Sequence, residues 1–267
     1  MTARTRVKIL NHKKAGPRHY LLKLEAPFSI SKARAGQFVQ IRVSDTLEPF
    51  LRRPFSIHRV EGSAFEVLYE VLGRASKILS RARTGELLDV IGPLGNGFPE
   101  PPPGARVILV AGGMGVAPLV FLAEQIAAKN RKALVLLGAR DKAGLLCEKD
   151  FRILGAEVMI ATDNGSKGFK GRISVLLKSV LQAGARSQEA VIYSCGPRPM
   201  LREMAGLSRE FNVNAWLSLE EHMACGLGAC LGCVVDTVDG YRRVCKEGPV
   251  FESSRIIWEK RKPKGGG

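Results

Sequence analysis

Most of the cysteine in this chain is concentrated in one segment near the C-terminus. Four of the six cysteines lie there, namely Cys225, Cys230, Cys233 and Cys245. Their spacing is C-x4-C-x2-C with a fourth Cys after eleven further residues, which is typical of the ligands of a 2Fe–2S cluster. Gly226, Gly228 and Gly232 leave a loop with little side-chain bulk. Such a loop can wrap closely around a cluster and direct N–H groups at its sulfur atoms.

A zinc site and a set of disulfides are the two alternatives for this segment. Structural zinc usually uses paired CxxC knuckles, whereas here there is one CxxC and the first Cys is offset from it. Disulfides need an oxidising compartment, and residues 1–10 lack the apolar core of a secretory signal. We therefore expect an iron–sulfur cluster in a cytoplasmic protein, with Cys147 as an ordinary buried thiol outside it.

Length and composition are those of a soluble protein of more than one domain. A chain of 267 residues can build two hydrophobic cores, and 45% hydrophobic with 25% charged residues is ordinary. The longest uncharged run, residues 107–123, approaches the length of a membrane span. Because three glycines and Pro118 interrupt it, the run predicts a strand, a loop and a helix instead.

The net charge of +16 is spread along the chain and is not gathered into one stripe. No nucleic-acid-binding motif accompanies it, so we expect no nucleic-acid partner. A basic surface also suits anionic dinucleotides and an acidic protein partner. Part of the excess lies in residues 259–267, which end in three glycines and which we predict to be a disordered tail.

The pattern of apolar residues divides the chain into three parts. Residues 1–100 contain short strands separated by turn residues and predict an antiparallel β-barrel; the strands are 7–10, 20–24, 38–43, 55–60, 65–71 and 87–91. Prolines at 99 and 101–103 mark a boundary. Residues 101–217 alternate apolar strands with helices, which predicts a parallel, Rossmann-like α/β domain. Residues 218–258 form the cysteine module.

Within the α/β part, the predicted strands are 107–111, 133–138, 158–162, 190–194 and 215–219, and the helices 118–129, 148–154, 173–183 and 200–211. A glycine turn, Gly112, Gly113 and Gly115, follows the first strand and precedes a helix that begins near Pro118. Such a turn lets a pyrophosphate approach the backbone and the helix N-terminus, although it can also be a structural tight turn.

Two further loops are expected at the same edge of the parallel sheet. Cys195, Gly196 and Pro197 follow the fourth strand, and residues 163–166 follow the third. The carboxyl ends of parallel strands form the usual ligand-binding edge of such a sheet. Together with the first glycine turn, these loops predict a dinucleotide site.

The barrel contains a second candidate site. Arg53 offers a planar fork for a phosphate, and Phe55 can pack on a flat ring. Residues 73–76 open a predicted short helix whose N-terminus could accept phosphate oxygens. Each signal is weak alone, because an arginine before a strand is usually a solvated charge.

Together these motifs resemble the ferredoxin–NADP reductase family over nearly the whole chain. Arg53–Ser56 is similar to the R-x-Y-S flavin signature of that family, with Phe55 in place of tyrosine. Residues 51–57, 218–235 and 244–251 resemble, more narrowly, the electron-transfer subunits of dihydroorotate dehydrogenase B. Glu247 stands where those subunits normally have aspartate, a departure that leaves the cysteines untouched.

The resemblance implies three cofactors: FAD, a 2Fe–2S cluster and NAD. It implies FAD contacts from Arg53, Pro54, Phe55, Ser56, Tyr69, Glu70 and Val71, with Ala75 and Ser76 at the phosphates. Ala75 stands where glycine is more usual. It assigns NAD to the turns at Gly112–Pro118 and Cys195–Met200, and the cluster to the four cysteines. Arg140 follows the second α/β strand, where an arginine could meet the 2′-phosphate of NADP.

The resemblance also implies a partner, a dihydroorotate dehydrogenase catalytic subunit that carries FMN, in a heterotetramer with two copies of each chain. Electrons would then pass from dihydroorotate on the partner to NAD+ in pyrimidine biosynthesis. This chain shows no acid–base pair for pyrimidine chemistry. The alternatives are a reductase subunit of a sulfur reductase, hydrogenase or ferredoxin–NADP oxidoreductase and, from another class, a non-catalytic zinc-bearing interaction module.

Overall fold

The computed structural model describes residues 3–184 and 190–259. Most of the predicted tail, residues 260–267, lies outside this described part. The described residues form strands β1 Ala3–Lys14, β2 His19–Glu25, β3 Phe38–Arg42, β4 Arg53–Ser56, β5 Arg59–Glu61, β6 Ala64–Glu70, β7 Leu87–Leu94, β8 Arg106–Gly112, β9 Ala133–Ala139, β10 Glu157–Thr162, β11 Phe169–Lys170, β12 Ala190–Cys195, β13 Asn214–Ser218, β14 Val234–Thr237, β15 Gly240–Arg243 and β16 Val250–Glu252.

The helices are α1 Phe28–Ser31, α2 Arg74–Leu79, α3 Val116–Ala127, α4 Glu148–Ile153, α5 Ile173–Gly184 and α6 Arg198–Phe211. None of them is long and apolar enough to cross a membrane.

The N-terminal part is an antiparallel sheet of seven strands in the order β4-β3-β7-β1-β2-β6-β5. The predicted strand 55–60 is in fact two strands, which is a correction with a clear cause. The N–H of Ile57 donates to Gln37 beside β3, whereas the N–H of His58 donates to Glu66 on β6. The chain changes its pairing partner at this point, so β4 and β5 lie at opposite ends of the sheet order.

The second sheet has the order β11-β10-β9-β8-β12-β13-β16. All its strands are parallel except β16, which pairs antiparallel with β13. Strands β8 and β12 are buried almost throughout because helices cover both faces of the sheet. The predicted fold class, an antiparallel barrel followed by a Rossmann-like domain and a C-terminal cysteine module, is confirmed.

The first two parts are held together by buried polar contacts between β5, the residue before it, and helices α3 and α4. The ring of His58, 2% exposed, shares a 2.9 Å hydrogen bond with the carbonyl of Ala117. Arg59 forms 2.7 Å ion pairs with Glu124 and with Asp150. Because Ala117 lies in the first turn of α3, these contacts fix the glycine turn relative to the barrel.

Candidate cofactor sites

An open cleft of about 560 Å³ lies where the barrel, the α/β domain and the cysteine module meet. Residues from all three parts line it: Phe38, Pro54, Phe55, Ser56, Leu68, Tyr69, Glu70, Leu72, Met114, Ala117, Arg198, Ser218, Leu219, Glu220, Glu221, His222, Met223 and Pro249. Five of the predicted flavin residues therefore line one cleft, together with Met114 and Ala117 from the glycine turn before α3 and its first residues.

A partly buried hydrogen bond supports the aromatic wall of the cleft from behind. The ring of Phe55 meets that of Tyr69 edge to face, with centroids 5.6 Å apart. The Tyr69 hydroxyl lies 2.9 Å from Nε2 of His12, and Nδ1 of His12 lies 2.8 Å from the carbonyl of Ala82. A carbonyl only accepts, so Nδ1 donates to it and Nε2 accepts the Tyr69 proton. The sequence analysis missed His12 because no motif marks a residue that acts from behind the wall.

The two neighbouring arginines of the flavin signature have different surroundings. Arg52 donates to the backbone carbonyl of Asp89 at 2.9 Å and to its carboxylate at 2.8 Å. Arg53 instead donates from Nη1 to the carbonyls of Leu51 and Arg52. Of the two guanidinium groups, the one of Arg52 is thus committed to an ion pair within the barrel. Arg53 retains donors for a phosphate, but it does not line the cleft itself.

The remaining predicted flavin residues lie beside the cleft. Val71 follows β6, and its backbone N–H donates to the carbonyl of Arg18. Ala75 is buried in α2. The Ser76 hydroxyl accepts from the N–H groups of Leu72 and Gly73 at 3.0 and 3.1 Å. These bonds order the turn before α2, so the Ser76 hydroxyl is already engaged in the chain's own backbone.

The two predicted nucleotide loops pack directly on each other, because β8 and β12 are neighbours in the sheet. A Cβ atom added at Gly115 would lie 2.0 Å from the carbonyl oxygen of Cys195, so only glycine fits there. A Cβ at Gly112 would lie 2.6 Å from Sδ of Met200 and 3.0 Å from Pro197. Gly113 begins the short turn 113–115 that leads into α3, and Gly196 follows the last residue of β12.

Cys195 is buried, and this burial raises the pKa of its thiol far above the ordinary value. The group is therefore a neutral thiol at neutral pH. The third predicted loop, residues 163–166, follows β10, which is separated from β8 by β9. Within it Asn164 and Ser166 form turn hydrogen bonds, with Ser166 also accepting the N–H of Lys142.

Acidic residues from the cysteine module form the third side of the cleft. Glu221 forms a 2.5 Å ion pair with Arg198 at the start of α6. Glu220 lines the cleft, and desolvation by the surrounding protein raises the pKa of its carboxyl group. The sequence analysis quoted both residues in a family segment without giving either a role, because their proximity to the cleft depends on the position of β13.

The four cysteines of the C-terminal module fall into two pairs. The Cys225 thiol interacts with that of Cys230, and the Cys245 thiol interacts most with that of Cys233 and less with that of Cys225. Backbone N–H groups point at two of the sulfur atoms, from Leu227 to Cys225 at 3.3 Å and from Cys245 to Cys233 at 3.4 Å. Burial raises the pKa of the Cys225 thiol, but hydrogen bonds from the backbone N–H groups of Leu227, Cys230 and Ala229 and from the Cys230 thiol outweigh it and lower that pKa to about 6.

The pairing suits two irons better than one zinc. Structural zinc needs four ligands around one ion, whereas in a 2Fe–2S cluster two thiolates serve each iron. The donor chemistry and the two-by-two arrangement therefore fit a 2Fe–2S cluster.

The loop between the cysteines is braced by an ion pair. Arg243 donates to the carbonyl of Gly228 at 2.7 Å and pairs with Glu247. The hydrogen bonds from Arg243 lower the pKa of Glu247 to about 2. Glu247 therefore keeps a structural partner although its side chain is longer by one methylene than the aspartate usual in the family that the sequence resembles.

Comparisons with known proteins agree with this arrangement of parts. Residues 220–257 match the iron–sulfur cluster binding domain of dihydroorotate dehydrogenase B, and residues 109–205 match an oxidoreductase NAD-binding domain. A solved structure of NADH-dependent reduced ferredoxin–NADP oxidoreductase superposes with a TM-score of 0.83 at 28% identity, over 94% of this chain and 90% of the other. A ferredoxin NADP+ reductase of Neisseria gonorrhoeae with bound FAD and NADP shares the fold, with a TM-score of 0.66 at 22% identity over 78% of this chain and 91% of the other.

Curated relatives are similar along nearly their whole length. The electron transfer subunit of dihydroorotate dehydrogenase B (NAD(+)) from Desulforamulus reducens is 42% identical over 94% of this chain and 97% of its own length. The subunit of the same name from Bacillus caldolyticus is 37% identical over 96% of this chain and 100% of its own length. These matches support the predicted FAD, 2Fe–2S cluster and NAD, and the chain belongs to the family of dihydroorotate dehydrogenase B electron-transfer subunits.

Proposed function

We propose that this chain carries electrons from a dihydroorotate-oxidising partner subunit to NAD+ in pyrimidine biosynthesis. The observation that carries the proposal is the cleft itself, because a flavin signature, a nucleotide loop and the segment leading to the cysteines all line it. A flavin there would exchange electrons singly with an iron–sulfur cluster and in pairs with a nicotinamide. This arrangement supports neighbouring sites for three carriers.

The FAD residues stay a proposal, and the structure supports them to different degrees. Pro54, Phe55 and Ser56 form an apolar wall with one hydroxyl, which suits one face and one edge of a flat ring. Tyr69 and Glu70 continue this wall. Arg53, Val71, Ala75 and Ser76 lie where the chain leaves the cleft, and we assign them to the diphosphate side.

For NAD, we propose contacts from Gly112, Gly113, Gly115, Cys195, Gly196 and Pro197. Backbone N–H groups of two glycine turns meet at the N-terminus of α3, and such groups bind pyrophosphate oxygens well. The buried Cys195 thiol contributes shape and not charge. Glu221, through its ion pair, holds Arg198 at the rim of the same cleft, where the guanidinium is a candidate donor to the phosphates.

For the cluster, we propose Cys225 and Cys230 as ligands of one iron and Cys233 and Cys245 as ligands of the other. The two close pairs support this assignment. Cys230 is exposed, and Leu227 and Leu231 beside it are 51% and 59% exposed. An apolar surface next to the cluster suits close approach of the partner that delivers the electrons.

The partner in this proposal is a dihydroorotate dehydrogenase catalytic subunit that carries FMN, with two copies of each chain in the complex. We further propose a cytoplasmic location, because six cysteines with no disulfide among them are maintained most readily in a reducing compartment. A part in a ferredoxin–NADP oxidoreductase is the second candidate, favoured by the TM-score of 0.83 to such a structure.

Nucleotide preference tests the proposed NAD site. Turnover with a dihydroorotate dehydrogenase catalytic subunit separates the two candidates, because the structure that favours the second is itself that of an NADH-dependent oxidoreductase. The purified chain should reduce an artificial acceptor with NADH, since the flavin and nucleotide sites are its own. We expect kcat/KM for NADH to exceed that for NADPH. Arg140 is the one basic residue proposed for a 2′-phosphate, and it lies on an exposed turn. Arg140→Ala is the matched variant and should leave the NADH value unchanged. A preference for NADPH that Arg140→Ala abolishes would overturn the proposed NAD site.

A further inference from the structure

A buried glutamine lies in the barrel between the flavin cleft and the cysteine loop. Gln40 is on β3, and its exposed fraction is 0%. It follows Phe38 by two residues, so both side chains leave the same face of the strand, and Phe38 lines the cleft. The other residues at the centre of β3, Val39 and Ile41, are apolar and equally buried. Gln40 is therefore the polar exception among the buried residues of β3.

The amide of Gln40 has an unusual set of contacts. Its Oε1 atom has no hydrogen-bond partner among the residues that the structure describes. Its Nε2 atom lies 3.9 Å from Sδ of Met223, which also lines the cleft. Leaving a buried polar atom unpaired destabilises a fold, and replacing such a group by an apolar one of similar shape can be neutral or stabilising. Packing of the barrel alone does not explain why this amide is kept.

The same side chain contacts the residue that follows the first cysteine. A Cβ atom added at Gly226 would lie 2.5 Å from Nε2 of Gln40 and 2.7 Å from its Cγ. Gly226 has φ +70, a conformation that L residues rarely adopt. The backbone at Gly226, next to Cys225, thus packs so closely on Gln40 that a side chain at position 226 would clash with it. Gln40 touches both the cleft-lining Met223 and the cysteine loop.

We propose that Gln40 is a positioning residue for the electron-transfer step: it holds the 223–226 segment against the barrel and supplies an amide to the surroundings of Cys225. The inference rests on the proposed cluster ligands. Groups that contact the ligand loop orient the ligands, and hydrogen bonds near the sulfur atoms tune the reduction potential of a cluster. The Nε2 donor of Gln40, which lies against Gly226, is placed to do both from the flavin side of the loop.

The test compares Gln40→Leu with Gln37→Leu in the complex of this chain with a dihydroorotate dehydrogenase catalytic subunit. Gln37 is a matched control, because its amide bonds only to the barrel, through the carbonyl of Gly95 and the N–H of Arg34. Iron and labile sulfide, the EPR g values and midpoint potential of the reduced cluster, and the rate of dihydroorotate-dependent NAD+ reduction are measured. NADH-dependent dye reduction reports on the flavin without the cluster.

For Gln40→Leu we expect a shifted EPR spectrum and midpoint potential, and a dihydroorotate-dependent rate about 10- to 100-fold lower, as is typical when a residue that supports metal ligands is removed. Dye reduction with NADH and FAD content should match those of Gln37→Leu. Loss of the cluster with FAD retained would support the same role in a stronger form. A spectrum, potential and rate equal to those of Gln37→Leu would overturn the inference.

Two further results keep the experiment decisive. If Gln40→Leu loses both cofactors, Gln40→Asn is used, which keeps the amide but withdraws it from the loop; it must still shift the spectrum for the inference to stand. If the unmodified chain holds no iron and sulfide, the proposed function fails and not the role of Gln40 alone. The wild-type measurement therefore separates failure of the proposed function from failure of this inference.

Discussion

At the residue scale, neighbouring side chains of the same type do different work. Arg52 and Arg53 are adjacent in the sequence, yet Arg52 is bound to Asp89 and Arg53 is not. The flavin signature could be recognised in the sequence because its residues are adjacent. The role of Arg52 could not be predicted, because its partner Asp89 lies 37 positions away on β7. Residues such as His12 and Gln40 escaped the sequence analysis for the same reason.

This difference predicts separable effects of two alanine variants. Arg53→Ala should weaken FAD binding by roughly 1.5–3 kcal/mol, the value of a charge-assisted contact to a phosphate. Arg52→Ala should instead lower the thermal unfolding midpoint of the apoprotein, since the largely buried Asp89 keeps only Arg4 as a partner. Flavin titration followed by fluorescence and thermal unfolding measure the two effects. Equal flavin affinity in Arg53→Ala and the unmodified chain would exclude the proposed contact.

The cysteines give a second prediction at this scale. Serine at position 225, 230, 233 or 245 should abolish or strongly reduce bound iron and sulfide, because an alcohol is a poor ligand for iron in place of a thiolate. Cys147→Ser is the control, because its thiol lies apart from the four and burial raises its pKa to about 12. Iron and sulfide analysis checks the set. Full occupancy in any of the four variants would remove that residue from the ligand set.

At the element scale, the loops at the strand ends determine where a nucleotide can bind. Periodicity predicted most of the α/β strands and helices well, because continuous apolar runs and glycine turns are local signals. It could not predict that β4 and β5 are separate strands or that β16 joins the second sheet, because both depend on pairing with distant strands. The contact between the two glycine turns is likewise a consequence of strand order.

The close approach of these turns predicts the effect of one methyl group. Gly115→Ala would bring a Cβ atom to 2.0 Å from the carbonyl of Cys195, so the two turns must separate. We expect KM for NADH to rise, while FAD content stays the same because the flavin wall belongs to the barrel. Gly206→Ala in α6 is the control, because a Cβ there meets nothing within 4 Å. An unchanged KM in Gly115→Ala would show that the turn does not bind the nucleotide.

At the scale of the whole molecule, three parts share one cleft and none of them has the site alone. His58 and Arg59 fix the barrel to α3 and α4, β16 ties the cysteine module to the second sheet, and Gln40 touches the cysteine loop from the barrel. The domain limits 1–100, 101–217 and 218–258 stay a prediction. The pairing of β16 with β13 makes the last two parts structurally continuous.

This continuity favours electron transfer over fixed distances, from a partner near the exposed Cys230 to a nucleotide at the far side of the cleft. The most direct test mixes the purified chain with a dihydroorotate dehydrogenase catalytic subunit and follows NAD+ reduction at the expense of dihydroorotate. The account predicts NADH formation only when both chains are present, and none when the chain carries serine at position 225. NADH formation from dihydroorotate by this chain alone, or none by the complex, would contradict it.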